Sequence, residues 1–187
     1  EGEQNIAQDH QNVTVIFADI VGLDELSAEL DSERMLEIVN RLVRQFDAAA
    51  ENLGVEQVRT LHNGYLASCG LSVPRLDNVR RTVDFAIEMQ RIIERFNTET
   101  GNDLSLRAGI DTGAVSSGLV GRTSLAYDLW GQAVSVAYQV SGVPQPGIYV
   151  TSQVYDVMRD SRTFVAAGQI AIDGTEQSIW RLSEQQP

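Results

Sequence analysis

Asp19 closes an apolar run, NVTVIFADI (12–20), and is followed at once by Val21, Gly22, Leu23 and Asp24 at the head of a helical stretch. A carboxylate at a strand end offers oxygens to a hard cation, and backbone N–H groups at a helix start can cradle phosphates. Three further stretches carry side chains of this kind. LRAGIDTGAVSSGLVG (106–121) sets Arg107 on a strand, and YDLWGQAVSVAYQVSG (127–142) sets Asp128 ahead of a helix bearing Ser135 and Gln139. TLHNGYLASCG (60–70) reads as a hairpin turning at Asn63-Gly64, the strongest short hairpin signal. Each stretch also has an ordinary reading. Asp19 suits a turn or cap, Asp24 a helix N-cap, Arg59 a solvent-facing strand, His62 an exposed turn and Cys69 a small core position.

These residues need a scaffold, and hydrophobic spacing outlines one. Residues 12–20 form a strand and 31–54 a helix, with a stripe of Met35, Leu36, Val39, Leu42, Val43 and Phe46 stopped by Gly54. The strands VEQVRTL (55–61) and YLASCG (65–70) flank the Asn-Gly turn. A second helix over roughly 77–98 buries Phe85, Met89, Ile92, Ile93 and Phe96. Residues 104–113 and 114–121 read as two strands with a glycine turn between them. Residues 131–142 read as a short helix ended by Gly142 and Pro144, 147–151 as a strand and 152–159 as a short helix. A terminal hairpin follows, centred on Asp173-Gly174. The order is β-α-β-β-α-β with a small C-terminal αβ appendage. That predicts an α+β, ferredoxin-like fold with helices on one face of an antiparallel sheet. Residues 1–11 read as a flexible lead-in and 12–187 as one domain.

Bulk properties narrow the function. The 187 residues suffice for one well-filled core, at 43% hydrophobic and 21% charged content. Acidic residues exceed basic ones by 26 − 14 = 12, so nucleic acid is not an expected partner. Magnesium could still bridge an acidic site to a nucleotide. One cysteine excludes an internal disulfide, and a reducing, cytoplasmic setting fits. No apolar run approaches the length of a membrane span. Glu1 stands where a start Met would, as expected of a segment from a longer protein. Membrane attachment would then come only through domains outside this sequence.

Five segments in order, VIFADIVGLDELS, VRTLHNGYLASCGL, LRAGIDTGAVSSGLVG, YDLWGQAVSVAYQVSG and GIYVTSQVYD, resemble the class III adenylate/guanylate cyclase catalytic domain over roughly residues 12–182. That resemblance implies conversion of ATP or GTP to a cyclic nucleotide and pyrophosphate, with two metal ions clamping the attacking and leaving oxygens. It implies a site shared by two halves of a dimer. The first metal aspartate falls on Asp19, with the Ile20 carbonyl beside it, and the phosphate loop on Val21, Gly22, Leu23 and Asp24. Arg107 matches the strand arginine that touches phosphates. The purine-reading pair falls on Arg59 and Asp128, of which only Asp128 keeps the family type; the two could pair across the site. The second metal aspartate falls on Asn63, the transition-state asparagine on Ser135 and the transition-state arginine on Gln139. The C-terminal phosphate lysine has no equivalent.

Loss of a single preorganised transition-state donor typically costs about a hundred- to a thousandfold in rate, and here several groups change together. The resemblance therefore implies a divergent domain, catalytically degenerate and serving regulation or dimerisation in cyclic-nucleotide signalling. Mg²⁺ or Mn²⁺ is the metal implied if any binds. The expected partner is a second copy or another cyclase domain, with ATP or GTP as ligand. The alternative is an active but divergent cyclase, alone or completed by a partner chain that supplies the asparagine and arginine. A diguanylate-cyclase-like domain or a polymerase palm would need acids at the central hairpin, where HNGY stands.

Overall fold

β1 (Gln8–Val21) runs through the middle of the sheet, and its residues alternate between two buried faces. Ile16 and Ala18 enter a cluster with Leu42, Phe46, Phe85 and Met89; Val13, Val15 and Phe17 enter a second cluster with Leu66, Ala133 and Ala137. A strand covered on both faces reads as a near-continuous apolar run, which is why NVTVIFADI lacks polar alternation. The computed structural model describes residues 8–61, 64–120, 126–130, 132–172 and 174–183.

The remaining strands are β2 (Glu56–Leu61), β3 (Gly64–Cys69), β4 (Ser105–Val120), β5 (Ala126–Trp130), β6 (Gly147–Thr151), β7 (Phe164–Ile172) and β8 (Thr175–Leu182). The helices are α1 (Leu23–Ser27), α2 (Ser32–Leu53), α3 (Asn78–Thr100), α4 (Gln132–Ser141) and α5 (Ser152–Met158). The strand order is β2-β3-β1-β4-β6-β8-β7, with β5 paired to β4. Its first four strands, β2-β3-β1-β4, are antiparallel and have the ferredoxin-like order expected. β6 joins β4 in parallel and carries the terminal hairpin.

α2 and α3 pack on one face, with Phe85, Met89, Ile92, Ile93 and Phe96 all buried as their spacing predicts. Asp31 caps α2 by accepting the Arg34 N–H at 2.9 Å, and Gly54 ends it in the left-handed conformation at φ 71°. Two cations meet that carbonyl end, where the helix dipole favours them. Arg81 donates to the Leu53 carbonyl at 3.0 Å, and the Arg75 guanidinium lies 2.9 Å from where a Cβ at Gly54 would sit. Among the described residues, no helix is long and apolar enough to cross a membrane.

Several expectations are corrected. α4 covers the second face of the sheet, so the helices do not share one face. Residues 105–120 form one strand, not two around a glycine turn. Opposite Ala114 the β1 register slips between His10 and Val13, and this bulge bends the ribbon without ending it. β4 instead turns back into β5 after Val120, so Ala126–Trp130 is a strand before α4 begins. β1 starts at Gln8 and pairs with Ser117, so strand structure enters the expected lead-in. Leu36, counted in the α2 stripe, is 60% exposed.

Candidate functional site

The C-terminal end of β1 sets Asp19 directly opposite Arg107 of β4, which in turn pairs with Gly147 of β6. Cross-strand partners share a face, and here they bond. Arg107 Nε donates to Asp19 Oδ1 at 3.1 Å and Nη2 to Oδ2 at 2.6 Å, a bidentate, charge-assisted pair. Nη1 donates to the Val143 carbonyl at 3.3 Å. The side chains are 24% and 19% exposed, so the pair is largely withdrawn from water. Asp19 and Arg107, expected in separate metal and phosphate roles, hold each other.

Val21 ends β1, and Gly22 starts α1 at φ 105°, where only glycine is at ease. Leu23 is half-buried and Asp24 exposed in the first turn. Ile20 packs on the larger core cluster. On α4, Ala133, Val136, Ala137 and Val140 face the sheet while Ser135 and Gln139 are both exposed, one turn apart on the outer side. α4 lies very close to the sheet: a Cβ at Gly109 of β4 would stand 2.3 Å from the Ala137 carbonyl oxygen.

The hairpin differs from its sequence reading. Leu61 pairs with Gly64, so Gly64 is already a strand residue and not half of a turn with Asn63. Gly64 is small for another reason: a Cβ there would come within 2.6 Å of the Phe17 ring. His62 and Asn63 lie outside the described residues. Arg59 of β2 pairs with Leu66 across a register shift after Gln57, and Asp128 of β5 pairs with Gly118. β2 and β5 approach one another, but both side chains, and so the expected Arg59–Asp128 pair, lie outside the described part.

Sequence reasoning missed three groups on the elements that frame this site. The Val143 carbonyl holds Arg107, a backbone contact that no residue type announces. Tyr138 is 60% exposed and meets Phe17 edge-on, ring centroids 5.0 Å apart. Asp111 of β4 is buried and accepts the Thr151 hydroxyl at 2.6 Å. Burial pushes the Asp111 carboxyl above its ordinary value, opposed by the bonds from Thr151 and the Thr112 backbone. Its place within GIDTG was the only signal, and the carboxylate itself argued for a surface position.

A two-metal centre does not fit the donors described. Both Asp19 oxygens are committed to a guanidinium, which also brings a positive charge to the place a cation would take. Among the described residues, no group of three His, Cys, Asp or Glu is gathered as metal ligands. The expected second position is an asparagine.

Comparison with known proteins gives a consistent relationship. The family model described as "Adenylate and Guanylate cyclase catalytic domain" matches residues 6–184. An adenylate cyclase of Mycobacterium tuberculosis is 32% identical over 176 residues, covering 93% of this chain and 40% of that protein. A membrane guanylyl cyclase of Dictyostelium discoideum is 28% identical over 165 residues, 87% of this chain and 11% of that protein. The guanylate cyclase domain of RhGC from Catenaria anguillulae, solved with GTP, shares the fold at a TM-score of 0.86 and 24% identity, covering 96% of this chain and 100% of that one. The chain thus spans less than half the length of these curated relatives.

Proposed function

This chain belongs to the adenylate and guanylate cyclase catalytic domain family, and from that premise we propose that it is a degenerate member, serving as a regulatory or dimerisation module in cyclic-nucleotide signalling. The observation that carries the reading is the outer face of α4, where Ser135 and Gln139 are exposed one turn apart. The resemblance puts the transition-state asparagine and arginine at these two positions; a glutamine in place of the arginine carries no positive charge to meet a developing phosphate charge, and a serine in place of the asparagine has a shorter reach. Asp19, the metal carboxylate the resemblance retains, adds to it, with both oxygens bound by Arg107. The fold is kept, while three of the positions the resemblance gives to reacting groups hold Asn63, Ser135 and Gln139. Asn63 and Arg59 belong to the same reading as replaced metal and purine positions, while Asp128 keeps the family type.

The test is turnover. The parent chain, assayed with ATP or GTP and Mg²⁺ or Mn²⁺, is expected to give no cyclic nucleotide above an enzyme-free control. Sustained product formation by the parent would overturn the proposal.

A further inference from the structure

We infer that Asp19 and Arg107 form a structural clamp in place of a metal site, tying the ends of β1 and β4 to the connection that follows α4. This deepens the degenerate reading above and can fail separately from it.

Three observations meet in the clamp. The Asp19–Arg107 pair is bidentate and mostly buried, the geometry in which an ion pair is most strongly coupled and removal of one partner most damaging. The guanidinium's remaining edge reaches Val143, in the turn where Gly142 N–H donates to the Gln139 carbonyl and Val143 N–H to the Val140 carbonyl. That turn is the C-terminal end of α4, whose partial negative charge favours a cation. Arg107 therefore lies between a carboxylate and a helix carbonyl end, with an acceptor for each nitrogen. Register completes the arrangement: Asp19, Arg107 and Gly147 are consecutive partners across β1, β4 and β6, so the bond to Val143 closes a loop of only a few residues over the same row. A divalent ion at Asp19 would leave the guanidinium without its carboxylate and place a second cation beside it in a partly dry site.

The test uses the whole chain, comparing the parent with Asp19→Asn, Arg107→Lys and the double variant by thermal melting and by calorimetric titration with Mn²⁺. Each single change is expected to lower the melting temperature by about 4–8 °C. The double variant should melt near the lower single variant, because one interaction is lost once. Mn²⁺ should neither bind the parent saturably nor raise its melting temperature. Additive losses in the double variant would overturn the clamp. So would saturable Mn²⁺ binding by the parent that Asp19→Asn abolishes, and that result would leave the degenerate reading standing as long as no cyclic nucleotide forms.

Discussion

Gly64 has no room for a side chain, because the Phe17 ring occupies the space a Cβ would need. Gly64→Ala is expected to destabilise the chain by about 1–3 kcal/mol, read by urea unfolding. A turn-only role would give less, since Gly64 pairs with Leu61 as an ordinary strand residue. Asp111 makes a second argument at this scale. Its carboxyl is held above its ordinary value by burial, so the native state binds this proton more tightly than the unfolded chain. Its contribution is fully present below the unfolded value of 3.8 and is lost as pH rises through the folded one. Asp111→Asn keeps an acceptor for the Thr151 hydroxyl but cannot ionise. Relative to the parent, the variant should gain stability as pH rises across that window, measured as the difference in urea midpoints. A difference independent of pH would contradict it. Neither effect was legible in the sequence: Asn63-Gly64 suggested turn chemistry because the ring over Gly64 comes from a strand 47 positions earlier, and GIDTG gave no sign that its carboxyl is buried.

α4 is the element on which the site's geometry rests. It touches the sheet at Gly109, where the Ala137 carbonyl oxygen fills the position of a Cβ. Gly109→Ala must lift the helix, and a loss of about 2–4 kcal/mol is expected in thermal or urea unfolding. A neutral result would mean that α4 is not seated as described. Long periodic elements were read well from sequence. α3 appears with all five of its predicted apolar residues buried, and α2 with Leu42 and Phe46 buried and its end at Gly54, because repeated spacing outweighs any one residue. The terminal hairpin also closes where Asp173-Gly174 indicated, with Ile172 opposite Thr175. β4 was misread as two strands because Gly113 in a strand can mark a turn or a bulge, and only the partner strand decides. The second-face position of α4 was missed for a related reason: an apolar run says that a strand is covered, not by what.

At the scale of the molecule, the described residues form the fold of the adenylate and guanylate cyclase catalytic domain family. The α+β fold and family were legible because five segments kept their order along one chain. The sequence names candidate residues, but not the contact between two of them: Asp19 and Arg107 are 88 residues apart in sequence, and only the β1–β4 register joins them. The reading predicts a dimer in solution, with a light-scattering mass twice the 20.5 kDa of the chain; a strict monomer at high concentration would remove the dimerisation role. The most direct test of the central claim is cyclic-nucleotide formation by the purified chain, with ATP or GTP and Mg²⁺ or Mn²⁺. The account predicts no product above an enzyme-free control under any of the four combinations. Sustained product formation that disappears in Asp19→Asn would contradict it.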